Sequence, residues 1–314
     1  MSEVLAIGVW PFTTDDAKSL RETFEGVRIA ETFDDVAAMP EAERAAVRAV
    51  AYKGMAPFGG DRMDLLPNLG LIANYGVGYD AIDVGAADAR GIRVTNTPDV
   101  LSDDVADLAV GMMLALSRRL IDGDHWVRSG KWAEGGMPLN RKMSGAPVGI
   151  LGLGRIGHEI ADRLAAFKMP IHYWSRSEKE TPGWTYHDDP VSLAKAVDWL
   201  VVATVGGAAT ESIVSAEVIE ALGPEGVVVN ISRGSTVDEE ALLSALEDGR
   251  LAGAALDVFR SEPDPDPRFL SLENVVLQPH QGSATHATRA AMAKLQRDNV
   301  VAFLRGEELL TAVN

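Results

Sequence analysis

Short runs of apolar and β-branched residues alternate along the chain with stretches in which apolar positions recur every three or four residues. The first series of runs is Val4 to Val9, Val27 to Ala30, Val47 to Ala51, Leu71 to Ala73 and Ile92 to Thr95. A second, clearer series is Val148 to Leu151, Ile171 to Trp174, Trp199 to Ala203, Gly226 to Ile231, Ala252 to Val258 and Val275 to Gln278. Such runs read as strands, and strands that alternate with helices imply parallel sheets covered on both faces. Between the series, Leu101 to Ser129 opens on a Ser102-Asp103-Asp104 cap and spaces Val105, Leu108, Ala109, Met112, Leu116 and Leu120 at helical intervals, which predicts one long helix or two. Ala284 to Leu304 predicts another long amphipathic helix. The expected fold is α/β: two doubly wound, parallel-sheet, Rossmann-like domains with a cleft between them. The length of 314 residues suits two domains, and the boundaries are expected at 1–98 with 287–314 and at 99–286.

The second series begins at a loop with a specific chemistry. Gly152-Leu153-Gly154-Arg155-Ile156-Gly157 follows the run that ends at Leu151 and precedes the helical pattern from His158 to Phe167. In that strand-loop-helix setting the first Gly allows a tight turn, the second lets a phosphate approach the backbone, and the third lets helix and strand pack closely. The free amides of the helix start then face an anion, so a dinucleotide pyrophosphate is the expected ligand. An ordinary Gly-rich connection is the alternative. Six strands from this loop onward are the number that a complete dinucleotide-binding sheet requires.

Composition narrows the chemistry. Cysteine is absent, which removes disulfides, thiolate nucleophiles and cysteine-held metals together. The six His are scattered without metal-ligand spacing, so no metal is expected. No charged-then-apolar leader opens the chain, and no apolar run approaches the roughly 18 residues of a membrane helix, so a cytoplasmic protein is expected. A formal charge of −17 argues against nucleic acid and anionic membranes as partners. Any site for an anionic ligand must therefore concentrate positive charge locally.

Ligands in doubly wound sheets bind beyond the carboxyl ends of the strands. Three segments of the second series fall there: Asn230-Ile231-Ser232-Arg233-Gly234, Asp257-Val258-Phe259-Arg260-Ser261-Glu262-Pro263, and Gln278-Pro279-His280-Gln281-Gly282-Ser283. They supply one Arg fork able to hold a carboxylate, one His able to give or take a proton near neutral pH, and a Glu able to orient that His. Reduction of a 2-keto acid needs this set, because the carbonyl oxygen must be protonated as hydride reaches carbon. Taken singly, each has a plainer reading: a loop cation for Arg233, a structural histidine for His280, a solvated carboxylate for Glu262.

The pattern from about Leu71 to the C-terminus closely resembles the D-isomer-specific 2-hydroxyacid dehydrogenase family. The resemblance rests on the Gly152–Gly157 loop, Asn230-Ile231-Ser232-Arg233-Gly234, Leu256-Asp257-Val258-Phe259 with Glu262-Pro263, and Pro279-His280 with Gly282-Ser283. It implies that Arg233 binds substrate carboxylate and carbonyl oxygen, that His280 is the acid/base, and that Glu262 holds His280. It also implies a flavodoxin-like substrate domain followed by an NAD(P) domain, with substrate contacts at Lys53, Gly54, Tyr75, Gly76, Val77 and Gly78. Lys53 can equally be surface charge. Cofactor contacts are implied at Val105, Thr204, Ile231, Ser232, Arg233, Asp257, His280 and Gly282. Gln281, usually apolar in the family, and Tyr79, usually small, depart from its pattern. A homodimer is expected, and Trp132 matches an aromatic that can reach a neighbouring subunit's substrate pocket. A core or ordinary surface Trp is the other reading.

Cofactor choice turns on the end of the strand after the loop. NAD-binding versions place an acidic residue there for the ribose hydroxyls. Here that position reads Ser175-Arg176-Ser177, where Arg176 can pair with a 2′-phosphate, so NADP(H) is expected and NAD is the weaker alternative. The Ser-Arg-Ser version, with Val94-Thr95-Asn96-Thr97-Pro98-Asp99-Val100-Leu101, resembles the glyoxylate/hydroxypyruvate and hydroxyphenylpyruvate reductase branch. Small 2-keto acids are the leading substrates. Aromatic keto acids, an NAD-dependent enzyme oxidising a hydroxy acid, and a non-enzymatic dinucleotide sensor are the alternatives.

Overall fold

In the computed structural model, residues 2–314 are described, and the chain divides into two compact units, Met1–Leu101 with Thr285–Asn314 and Ser102–Ala284. The first unit carries five parallel strands: β1 (Val4–Gly8), β2 (Arg28–Ala30), β3 (Ala49–Lys53), β4 (Leu71–Asn74) and β5 (Arg93–Thr95), in the order β2-β1-β3-β4-β5. That is the flavodoxin-like order, and its reversal between β1 and β3 marks their carboxyl ends as the place for a ligand. Alternate side chains explain the layers. Leu5, Ile7, Val50, Tyr52, Ile72 and Val94 pack to one side with Phe33 and Phe58, while Val4, Ala6, Ala49, Ala51, Leu71 and Ala73 pack to the other. The small residues on the second side let the helix His286–Arg305 lie close. From it Gln296 donates to the carbonyls of Tyr52 at 3.0 Å and Ala73 at 2.8 Å.

Ser102–Ala284 carries seven parallel strands: β6 (Val148–Leu151), β7 (Ile171–Trp174), β8 (Thr185–His187), β9 (Trp199–Val202), β10 (Val227–Asn230), β11 (Gly253–Leu256) and β12 (Val275–Leu277). Their order is β12-β11-β10-β9-β6-β7-β8, a dinucleotide-binding sheet with one strand added. The sequence pattern predicts six of them and misses β8. Its residues, Thr185, Tyr186 and His187, show no apolar run, and tertiary contacts hold it to β7: His187 Nε2 lies 3.0 Å from His172 Nδ1.

The segment after Leu101 forms two helices, Ser102–Arg118 and Leu120–Arg128, broken at Arg119, which adopts left-handed φ 48° and ψ 49°. Ser102 lies inside the first helix rather than capping it, with Asp103 and Asp104 in its first turn. The first helix is anchored to Arg155–Ala166 by Arg163, which bridges Asp103 and Asp107, each at 2.7 Å. Among the described residues no helix is long and apolar enough to cross a membrane.

Candidate active site

In Ser102–Ala284 the sites foreseen from sequence stand at the carboxyl ends of β6, β7, β9, β10, β11 and β12. After β6 the three glycines differ in what surrounds them. Gly152 has φ +106°, and a Cβ there would lie 2.7 Å from the Thr204 amide nitrogen. At Gly157 a Cβ would come within 2.2 Å of the Gly152 carbonyl oxygen, so only glycine lets the helix Arg155–Ala166 approach its strand. Around Gly154, by contrast, a Cβ would meet nothing within 4 Å. This open position is the N-cap of that helix and offers no capping side chain. Beside the loop, Thr204 Oγ1 is buried with no hydrogen-bond partner among the described residues. Open amides and an orphaned hydroxyl at one loop fit a dinucleotide pyrophosphate.

The turn after β7 departs in one detail from its expected chemistry. Ser175 is buried, and its hydroxyl donates to the Ser177 carbonyl at 2.6 Å, so its proton is spent shaping the turn instead of meeting a phosphate. Arg176 and Ser177 are exposed, and Lys179 Nζ reaches Ser177 Oγ at 3.4 Å. Two cations therefore flank this turn, and among the described residues no carboxylate is paired to Arg176.

Arg233, Glu262 and His280 are brought together by close backbone packing. A Cβ on Gly234 would lie 1.9 Å from the carbonyl carbon of Phe259, so glycine here lets the loop after β10 press against the loop after β11. Asn230 Nδ2 and Thr236 Oγ1 donate to the Arg233 carbonyl at 2.9 and 2.6 Å, and Arg233 Nη1 donates to the Ser232 carbonyl at 2.9 Å. Glu262 Oε1 accepts from the Phe259 amide at 3.0 Å, while Oε2 lies 2.7 Å from His280 Nδ1. Burial opposes the Glu262 charge. The bond to His280, its positive charge, the Phe259 amide and the Arg233 guanidinium outweigh that cost and hold the carboxyl below the usual glutamate range.

His280 sits in the left-handed region, φ 51°, which costs a non-glycine residue energy unless its surroundings enforce it. Asp257 supplies the enforcement. Its carbonyl accepts from the His280 amide at 2.9 Å, and its carboxylate accepts from the Gln281 amide at 2.7 Å and the Gly282 amide at 2.8 Å. Burial at 2 % exposure pushes the Asp257 carboxyl up, and Glu262 adds to this, against the pull of both amides and His280. Asp257, foreseen as a cofactor contact, thus has both oxygens engaged by the loop that presents His280. Val105 packs on that loop: a Cβ at Gly282 would lie 3.2 Å from Val105 Cγ2. The Gln281 side chain is exposed and bonds Gln278, away from the Glu262 pair.

In Met1–Leu101 with Thr285–Asn314, Lys53 and the Tyr75–Gly78 loop follow β3 and β4. Asn74 Nδ2 donates to the carbonyls of Gly76 at 3.1 Å and Gly78 at 2.9 Å, and Asn96 Nδ2 donates to that of Val77 at 2.9 Å. With the carbonyls turned inward, no described hydrogen bond takes the amides of Gly76, Val77 or Gly78. Lys53 is not surface charge: it is 6 % exposed and 3.4 Å from Asp16. Gly54 lies against Val9, where a Cβ would come within 2.8 Å of the Val9 Cβ. Sequence reasoning missed Asp16, Asn74 and Asn96. The Thr13-to-Asp16 spacing of a capping box was the visible signal for the first.

Comparison with known proteins decides the family. Residues 110–282 match the model of the NAD binding domain of D-isomer specific 2-hydroxyacid dehydrogenases. A glyoxylate/hydroxypyruvate reductase A of Arabidopsis thaliana is 50 % identical over 273 residues, 87 % of each chain. The chain belongs to the D-isomer specific 2-hydroxyacid dehydrogenase family. Within this dehydrogenase family, a hydroxyphenylpyruvate reductase of Plectranthus scutellarioides is 49 % identical over 267 residues, 85 % of each chain. The solved structure of an NADPH-dependent glyoxylate/hydroxypyruvate reductase of Sinorhizobium meliloti, in complex with NADP and malonate, superposes with a TM-score of 0.92 at 44 % identity, covering 99 % of this chain and 96 % of that one. Two parallel-sheet α/β units are thus the dehydrogenase fold seen in its relatives.

Proposed function

We propose that the protein reduces small 2-keto acids, glyoxylate and hydroxypyruvate foremost, to D-2-hydroxy acids with NADPH. The observation that carries this reading is the 2.7 Å contact of Glu262 Oε2 with His280 Nδ1, set beside Arg233 at the strand ends of a dinucleotide-binding sheet. Bound at the Gly152–Gly157 loop, NADPH supplies the hydride for the keto carbon. Arg233 holds the substrate carboxylate and carbonyl oxygen in a two-pronged grip. His280, oriented by Glu262, gives its proton to the alkoxide oxygen as that charge develops. The amides of Gly76, Val77 and Gly78, which no described hydrogen bond takes, suit a carboxylate as well. Exposed Arg176 supports NADPH over NADH. The names of the relatives at 50 % and 49 % identity support the substrate class.

A homodimer is the proposed assembly. Leu120, Ile121, Val127, Trp132 and Leu139 are exposed, Trp132 at 69 %, in the stretch after the Arg119 break, which is more apolar surface than a solvated helix needs. Exposure rules out the core reading of Trp132. The test of the whole proposal is a panel of glyoxylate, hydroxypyruvate, phenylpyruvate and hydroxyphenylpyruvate, each assayed with NADPH and NADH. Fastest turnover of the two small acids with NADPH is expected; turnover of none of the four would refute it.

A further inference from the structure

Lys53 closes β3, one of the two strands between which the order of its sheet reverses, and its ammonium is nearly enclosed at 6 % exposure. A buried ammonium is costly without a partner. Its partner is Asp16 in the first turn of the helix Thr14–Thr23, with Nζ 3.4 Å from Oδ2. Asp16 also closes a capping box: the Thr13 amide donates to Asp16 Oδ2 at 3.3 Å, and the Asp16 amide to Thr13 Oγ1 at 3.1 Å. A capping box does not require burial. Thr32 and Asp35 make the same pair of bonds, at 2.8 and 3.1 Å, on an exposed surface. What distinguishes Asp16 is the ammonium beside it.

The surroundings of Lys53 favour an anion. Its Nζ stands 4.8 Å from the centre of the Tyr75 ring and 5.4 Å from that of Phe12, and the Arg289 guanidinium stands 5.8 Å from the Tyr75 ring. The charged and titratable groups facing it are thus Asp16 from the helix Thr14–Thr23, Tyr75 after β4 and Arg289 from the helix His286–Arg305. Two cations meet one carboxylate. Of the three ammonium hydrogens, two are directed to the Pro11 carbonyl at 3.0 Å and to Asp16, and the third has no partner among the described residues. Tyr75 is also the root of the loop whose Gly76, Val77 and Gly78 amides are unspent. Burial pulls the Lys53 pKa below the usual lysine range, the Arg289 charge adds to this, and Asp16 is the group that opposes both.

We propose that Asp16 is a positioning residue for substrate: it keeps Lys53 charged and aimed, so that the ammonium and the Gly76–Gly78 amides receive one carboxylate. The inference rests on the keto-acid reductase reading. Its test measures KM and kcat for glyoxylate at pH 7 and pH 9, with NADPH affinity by fluorescence titration, in the parent, D16N, K53M and the double variant. Without Asp16 the enclosed Lys53 loses its proton more readily as pH rises. D16N is therefore expected to raise the glyoxylate KM about tenfold more at pH 9 than at pH 7. Its kcat and NADPH affinity should stay within about twofold of the parent. K53M should raise KM alike at both pH values, and adding D16N to K53M should change nothing further, since Asp16 acts only through Lys53.

A D16N enzyme with the parent's KM at both pH values would overturn the assignment, as would a double variant with a KM well above that of K53M. The second comparison involves no unpaired buried ammonium, so it can overturn the assignment even if D16N fails to fold. A parent that turns over no keto acid would overturn the reductase reading itself, and this assignment with it.

Discussion

Glu262 Oε2 lies 2.7 Å from His280 Nδ1, and its other oxygen is fixed by the Phe259 amide at 3.0 Å. The carboxylate is thereby held in one orientation, and with it the imidazole ring. In the proposed reduction this fixed ring is the proton donor, so the carboxylate acts by orienting it. Glu262→Gln is expected to lower kcat/KM for hydroxypyruvate, because the ring loses the carboxylate that orients it. A Glu262→Gln enzyme with the parent's kcat/KM would remove Glu262 from this role.

The same carboxylate links pH to stability. Its folded pKa is depressed, so its stabilising contribution is full above the unfolded glutamate value of about 4.3 and is lost as pH falls through the folded value. Asp257 has the opposite sign: its folded pKa is raised, so the penalty of burying its charge is present at neutral pH and relieved on acidification. Urea unfolding from pH 7 down to pH 3 should show a midpoint that falls below about pH 4.5, and more gently in Glu262→Gln than in the parent.

Gly234 is the packing residue on which the Arg233–Glu262 relationship depends. Gly234→Ala places a methyl group 1.9 Å from the Phe259 carbonyl carbon, a backbone atom that no side-chain rotation can move aside. Separation of the two loops should cost about 1–3 kcal/mol or more in urea unfolding. It should also lower kcat/KM by more than the stability loss explains, because Arg233 and the Glu262–His280 pair move apart.

Asp257→Asn replaces one acceptor oxygen by a donor. One of the Gln281 and Gly282 amides then faces an NH2 group and is left unsatisfied, at a cost of about 1–3 kcal/mol. Since the same bonds enforce the left-handed backbone of His280, kcat should fall as well. Unfolding and single-turnover measurements on one preparation would show whether the two effects travel together.

Arg176→Ala tests cofactor choice. A charge-assisted bond to a 2′-phosphate is worth about 1.5–3 kcal/mol, so the KM for NADPH should rise roughly tenfold to a hundredfold while that for NADH stays nearly constant. Equal effects on both would reassign Arg176 to solvent.

How much of this was legible before the fold was known differs by region. The parallel sheets were readable because buried strands such as Val148–Leu151 and Trp199–Val202 are uninterrupted apolar runs. The positions of Arg233, Glu262 and His280 were readable because strand ends in such sheets face the ligand. β8 was not, since an edge strand of Thr185, Tyr186 and His187 owes its pairing to its neighbour and not to its own pattern. Nor were the supports: the pairing of Asp16 with Lys53 spans 37 positions, and Asn96 acts on Val77 across 19. Hydrogen bonds between distant polar residues have no periodicity to betray them. Ser175 shows the converse limit, a residue of suitable chemistry whose proton is committed to its own turn.

Proton donation by His280 is the step on which the proposed keto-acid reduction turns. It is tested most directly by NADPH oxidation with hydroxypyruvate in the parent and in His280→Ala, alongside NADPH affinity in both. A loss of at least about a hundredfold in kcat is expected, with NADPH affinity nearly unchanged. A His280→Ala enzyme that turns over within a few-fold of the parent would contradict it.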